Sequence, residues 1–169
     1  MCCSHNLHSQ LRHKRHVFTD DYRRQARSLA LQALYELDCT RHRPGDVLTE
    51  RLSADSWQDQ TRALAAQLVQ GILDHRQKLD ALIHRYAPEW PLDQIAIIDR
   101  NILRIAIYEL AADNNVPVKV AISEAIVLAK MFGAESTPRF VNGVLGTLVS
   151  READLRSILN PMSMTDDHE

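Results

Sequence analysis

The sequence has few of the residues that break helices or build sheets. It contains 5 glycines and 6 prolines among 169 residues, and aromatic residues make up only 5%. The β-branched residues fall mostly where apolar positions repeat with helical spacing, and no series of strand-like alternation is present. This composition predicts an all-α chain. Its length suits one domain that buries about 70% of the surface exposed by the unfolded chain.

Cysteines and long apolar runs are also scarce. The three cysteines, Cys2, Cys3 and Cys39, are an odd number and two are adjacent, so they suggest no disulfide framework. No stretch reaches the ~18 consecutive apolar residues of a membrane span, and the amino terminus has no apolar signal-peptide core. We therefore expect a soluble, cytoplasmic protein that does not enter a membrane.

Catalytic signatures are missing from the sequence. It has no glycine-rich phosphate loop, no HExxH and no CxxC pattern. Cys39 has His42 nearby but no third group to orient a base, so a packed residue at a helix end is the simpler interpretation. Cys2, Cys3 and the neighbouring histidines could bind a metal, but their spacing matches no zinc pattern. The sequence predicts no enzyme, no cofactor and no functional metal site.

Charge is unevenly distributed along the chain, although the net charge is only −2. Residues 1–27 carry +4 and the remainder carries −6. Residues 1–19 are polar and too poor in apolar side chains to offset the entropy of ordering, which predicts a disordered basic extension. A helical domain is predicted over residues 20–160, followed by a loose acidic tail over residues 161–169.

Apolar spacing predicts helices in both halves of the chain. In the first half we expect a helix from Asp21, a short helix over Asp46–Leu52 and a long helical stretch that opens at Ser56. Gly71 indicates either close packing or a break within that stretch. Pro88 and Pro91 interrupt the helical pattern and predict a subdomain boundary.

The second half is predicted to contain the axis of the core. Ile95, Ile98, Ile102, Ile105 and Leu110 run through a helix that is apolar on much of its circumference. A further helix should start near Pro117 and end at Gly133, a natural left-handed cap. Ser136 and Thr137 are candidates to cap the last helix.

Arginines cluster at the start of the first helix. Spacings of three and four residues place Arg23 or Arg24 beside Arg27 on one helix face. Cations there oppose the helix dipole, so an anionic partner such as RNA phosphate explains them well, while a solvated charged face is the alternative. Lys119 and Arg139 follow helix-starting prolines, where backbone N–H groups could help them to cradle phosphate; ordinary surface solvation is again the alternative.

Four segments, RRQARSLALQALYELD, NILRIAIYEL, VPVKVAISEAIVLAKMFGAE and RFVNGVLG, together resemble the NusB family of bacterial transcription antitermination factors. The resemblance covers about Arg23 to Val149. It implies one all-helical domain of about seven helices in two subdomains, without catalytic activity. It also implies binding to boxA-containing single-stranded RNA of ribosomal RNA operon transcripts, to the ribosomal protein NusE and to the RNA polymerase antitermination complex.

The resemblance implies roles for individual residues as well. The RNA-binding residues would be Arg23, Arg24, Arg27, Lys119 and Arg139. Tyr35 and Asp99 match positions that face the partner protein or the edge of its surface.

Two other classes of protein stay open from the sequence. The same helical domain occurs fused to ribosomal RNA cytosine methyltransferases, so the chain could serve such a system with a separate catalytic chain. The helices on either side of Gly133 could form a DNA-binding helix-turn-helix, although Phe140, Val141 and Asn142 offer few base-reading groups. Neither a heptad repeat nor an exposed apolar stripe distinguishes a monomer from a homodimer.

Overall fold

The computed structural model describes residues 22–53, 57–112, 116–152, 155 and 159. Within these residues the chain forms seven helices and no strand, which confirms the all-α prediction. The helices are α1 (Tyr22–Cys39), α2 (Pro44–Leu52), α3 (Asp59–Asp74), α4 (Arg76–Tyr86), α5 (Ile97–Ala112), α6 (Val118–Phe132) and α7 (Thr137–Arg151). The predicted extension over residues 1–19, the tail over residues 161–169 and the limits of the helical domain at residues 20 and 160 lie outside the described residues.

Helix α5 is the axis of the core, as its apolar circumference predicted. Every residue from Asn101 to Ala111 except Tyr108 is buried. The helix packs against α1, α3, α4, α6 and α7. The main apolar cluster draws side chains from all seven helices.

The connector between Tyr86 and Ile97 contains Pro88 and Pro91, and it confirms the predicted break between the two halves of the chain. Helices α1–α4 precede it and α5–α7 follow it. The halves nevertheless share one apolar cluster, since α5 packs against helices on both sides of the connector.

A buried ionic network joins α1, α4 and α5. Arg104 is 2% exposed and donates from Nε and Nη2 to the two oxygens of Asp80, at 2.7 and 2.9 Å. Its Nη1 donates to Asp38 Oδ2 at 2.9 Å, and Arg76 Nη2 donates to Asp38 Oδ1 at 2.6 Å. Burial acts to raise the pKa of Asp38, but the charges of Arg104 and Arg76 outweigh it and lower that pKa. The network therefore fixes the end of α1 against α4 and α5.

Gly71 lies inside α3, and its role is close packing. A Cβ at this position would lie 2.0 Å from the hydroxyl oxygen of Tyr108 on α5. The break between α3 and α4 occurs at His75 instead, where φ is −107° and ψ is 12°. Of the two interpretations of Gly71, the structure supports packing.

The predicted left-handed cap at Gly133 is wrong. Its φ of −86° and ψ of 178° are extended backbone that any residue can adopt. A Cβ on Gly133 would lie 2.5 Å from Cβ of Thr137, so the glycine is required by space. The hydroxyl of Thr137 closes this turn by accepting the backbone N–H of Ala134 at 2.9 Å.

None of the helices in the described ranges is long and apolar enough to span a lipid bilayer.

Candidate nucleic-acid interface

The three arginines at the start of α1 do not share one exposed face. Arg27 is 2% exposed, whereas the side chain of Arg24 is 33% exposed and Arg23 is partly exposed. Ala26 and Ala30, on either side of Arg27 along the chain, are fully buried against the helices that cover α1. The prediction that Arg27 lies on a basic surface is therefore wrong: in this fold it is an interior residue.

Arg27 is held inside by two glutamates from other helices. Its Nε lies 2.8 and 3.0 Å from the two carboxylate oxygens of Glu109 on α5, and its Nη1 donates to Glu124 on α6 at 3.5 Å. A buried guanidinium without such partners would be strongly destabilising. The pairing joins α1, α5 and α6 and leaves Arg27 away from any phosphate on the surface.

Arg24 is bound to the same glutamate. Its Nε donates to Glu124 Oε2 at 2.9 Å and its Nη2 to Oε1 at 2.5 Å, a side-on bidentate pair. The hydrogen bond from Arg24 lowers the pKa of Glu124 and outweighs the opposing effect of burial. We call Arg24, Arg27, Glu109 and Glu124 the arginine–glutamate cluster; with two cations and two anions it is formally neutral.

Next to this cluster is a shallow cleft between α1, α3 and α5. Arg23 lies at its edge, with its guanidinium carbon 5.6 Å from the ring centroid of Tyr22. Gln60, Gln67 and Tyr108 also line the cleft. The cleft offers a cation, aromatic surface and amide groups, the kinds of side chain that bind phosphates and unstacked bases.

Lys119 and Arg139 are both exposed, but they lie far apart. Lys119 is in the first turn of α6, and Arg139 is in the first turn of α7, which begins just beyond the other end of α6. The part of α6 from Lys119 to Phe132 is about 20 Å long. The two helix starts therefore do not form one phosphate cradle. Lys119 is also about 140° around α6 from Glu124, away from Arg24.

Arg139 borders a recess between α7 and the connector that precedes α5. The aromatic residues Tyr86, Trp90 and Phe140 line it, and Trp90 is 51% exposed. Sequence reasoning did not propose Trp90 for any site. Its position between Pro88 and Pro91 could have placed it in a connector, because the two prolines interrupt a helix there.

The two residues predicted to face a partner lie on neighbouring helices. Tyr35 is half-buried on α1, and Asp99 is half-buried in the first turn of α5. These helices meet nearby, where Asn101 Nδ2 donates to Asp38 Oδ2 at 3.0 Å. Burial raises the pKa of Asp99, opposed by a hydrogen bond that it accepts from Thr137 Oγ1 at 2.9 Å.

Glu109 and Glu124 are two further residues that sequence reasoning missed. Each is a glutamate among mostly apolar residues, in the segments YELAA and ISEAIV, and each is buried in its helix. A carboxylate at such a position needs a cationic partner, so the pattern could have pointed to the arginines of α1.

These features define a class of protein: an all-helical scaffold with cations at several helix starts. In the described part of the chain, no group of three His, Cys, Asp or Glu side chains is placed to hold a metal ion. The candidate Cys and His ligands of the amino-terminal segment lie outside the described residues.

Comparison with known proteins identifies the family. The model of the NusB family matches residues 24–150. The chain is 44% identical over 132 residues to the transcription antitermination protein NusB of Dehalococcoides mccartyi, which covers 78% of this chain and 92% of that protein. The chain belongs to the NusB family, as its four segments predicted.

Solved structures agree with this assignment. T. maritima NusB superimposes with a TM-score of 0.74 and 32% identity, over 80% of this chain and 95% of that one. A chain from a crystal structure of the antitermination factors NusB and NusE in complex with double-stranded RNA superimposes with a TM-score of 0.70 and 25% identity, over 78% of this chain and 98% of that one.

Proposed function

We propose that this chain is a transcription antitermination factor that binds boxA-containing single-stranded RNA of ribosomal RNA operon transcripts together with the ribosomal protein NusE. It would act within the RNA polymerase antitermination complex, in the cytoplasm. The observation that carries the proposal is the family match over residues 24–150, which includes α1 from Arg24 onward and both later helix starts that bear exposed cations. The solved complex of NusB, NusE and RNA supports it.

For RNA contact we propose Arg23 and Arg24 on α1, with Lys119 and Arg139 as separate outlying contacts. The cleft beside Arg23 can accept an unstacked base on Tyr22 or Tyr108, and the guanidinium groups can bind phosphate. Arg27 has a different role in this proposal: it holds the start of α1 in place through Glu109.

For the protein partner we propose the surface around Tyr35 and Asp99. Both residues are partly exposed where α1 and α5 meet, which suits contact with a second protein beside bound RNA. Such a binding role needs no catalytic group and no cofactor.

The relatives favour this function over service to a ribosomal RNA methyltransferase. Relatives that match this chain over 92% and 96% of their own length are named transcription antitermination protein NusB.

The proposal is tested by fluorescence anisotropy with labelled boxA-like single-stranded RNA, with and without NusE, across a salt series. We expect binding that NusE strengthens and that salt weakens. Scrambled RNA, duplex RNA and duplex DNA of the same length are the controls. Equal affinity for all four nucleic acids, with no effect of NusE, would overturn the proposal.

A residue-level test compares Arg23→Ala with Arg85→Ala. Both changes remove one arginine, but Arg85 is on α4 and pairs with Glu152. We expect Arg23→Ala to weaken RNA binding and to reduce the magnitude of the logarithmic salt slope by roughly 0.7, the value for one phosphate contact on a single strand. Arg85→Ala should leave both quantities close to those of the wild type.

A further inference from the structure

We propose that Glu124 competes with RNA phosphate for Arg24, and so sets how strongly the start of α1 binds RNA. This inference rests on the proposed RNA-binding function and assigns to Glu124 the role of an intramolecular competitor for Arg24.

The competition follows from the geometry of the arginine–glutamate cluster. Glu124 occupies the Nε and Nη2 edge of Arg24 with both carboxylate oxygens, at 2.9 and 2.5 Å. A phosphate binds the same fork with two oxygens in a similar arrangement. The two acceptors therefore exclude one another on this edge of the guanidinium.

Charge makes the competition matter. The cluster is formally neutral, so an approaching phosphate meets less attraction than three arginines in sequence would suggest. If Arg24 moves to a phosphate, the attraction that it gains is offset by the ion pair that it leaves. RNA that also contacts the protein elsewhere gains enough binding free energy to offset the loss of the Arg24–Glu124 ion pair. A polyanion that contacts α1 alone gains little.

Burial decides which partner moves. The side chain of Glu124 is 11% exposed, and Arg27 Nη1 also contacts it at 3.5 Å. The side chain of Arg24 is 33% exposed and is the member of the pair that solvent reaches. Arg24 is therefore the group that exchanges partners, while Glu124 stays in place.

A single substitution can test the competition with little change to the packing. Glu124→Gln keeps the shape of the side chain and one acceptor oxygen but removes the charge. Arg27 would retain Glu109 at 2.8 Å, so no buried guanidinium loses its last carboxylate. The matched control is Glu36→Gln, which removes the same charge and likewise releases an arginine, Arg51, from a carboxylate. Glu36 is about 18 Å along α1 from Arg24.

The test measures affinity for boxA-like single-stranded RNA across a salt series in the full-length variants. We expect Glu124→Gln to bind roughly two- to fivefold more tightly than Glu36→Gln near 0.1 M salt, the range for release of a partly exposed ion pair. Its logarithmic salt slope should be steeper than that of Glu36→Gln by roughly 0.7, because Arg24 then meets a phosphate without leaving the Glu124 carboxylate.

A double-mutant cycle locates the effect. In an Arg24→Ala background, Glu124→Gln should no longer tighten binding. If wild type binds RNA and Glu124→Gln binds no better than Glu36→Gln, the inference is overturned while the proposed function stands. If wild type fails to bind RNA at every salt concentration, the proposed function itself fails.

A measurement on the wild type serves if Glu124→Gln does not fold. The Nε–H resonance of Arg24 in the NMR spectrum of ¹⁵N-arginine-labelled protein should shift when RNA saturates the site, because its acceptor changes from carboxylate to phosphate. The Nε–H resonance of Arg27 should move little. An Arg24 resonance that does not respond to saturating RNA would overturn the inference.

Discussion

Gly133 shows how one residue can be required for space. The extended backbone at this position suits any amino acid, but the side chain of Thr137 fills the volume that a Cβ would need. That threonine is itself held by Ala134 and Asp99, so it cannot turn away without loss of two hydrogen bonds.

We expect Gly133→Ala to destabilise the protein by about 1–3 kcal/mol, the usual cost of overpacking. Gly143→Ala is the matched control, since nothing lies within 4 Å of a Cβ there and the residue is inside α7. The control should stabilise by about 0.5–1 kcal/mol through helix propensity. Urea unfolding followed by circular dichroism measures both. A left-handed cap would instead make Gly133→Asn milder than Gly133→Ala, and that ranking would contradict the structure.

At the scale of helices, Asp38 is a carboxylate placed against the helix dipole. It lies one residue before the end of α1, where negative charge is unfavourable. Three arginines on α4 and α5 compensate, at 2.6, 2.9 and 3.4 Å. The end of α1 is thus held by its neighbours and not by its own cap.

Asp38→Asn should cost about 3 kcal/mol at pH 7, the lower end for loss of one partner from a buried pair, because Arg104 keeps Asp80. The folded pKa of Asp38 is lowered, so its contribution is present above the unfolded value of about 3.9 and is lost as pH falls through the folded value. The difference between wild type and Asp38→Asn should therefore shrink below about pH 4. Asp93→Asn, at an exposed site in the connector, is the charge-matched control. A difference that stays constant from pH 7 to pH 3 would count against this account.

At the scale of the molecule, the two halves of the chain should unfold together. The connector divides the sequence, but α5 carries one apolar cluster across it. Trp57 packs in the first half and Trp90 lies in the connector, so Trp57→Phe and Trp90→Phe each leave one fluorescent reporter. In each variant, the urea midpoint from fluorescence should coincide with that from circular dichroism. Separate midpoints within one variant would indicate two independently unfolding halves.

The sequence predicted those parts of the fold that depend on local pattern. The stripe of α1, the apolar circumference of α5 and the proline break before it are set by neighbouring residues, and all are present. The burial of Arg27 was not predictable from α1, since it depends on where α5 and α6 place Glu109 and Glu124. Gly133 was misread for the same reason: its crowding comes from Thr137 in space, while the sequence suggested a backbone preference.

The contact between Gly71 and Tyr108 has a consequence for how this chain can change through evolution. The hydroxyl of Tyr108 occupies the volume that any side chain at position 71 would need, so a substitution at one position depends on the residue at the other. A larger residue on α3 becomes acceptable only after the aromatic ring on α5 has been lost. Of the two possible mutational orders, the one that shortens position 108 first enlarges the cleft between α1, α3 and α5, and the other places two side chains in the same volume.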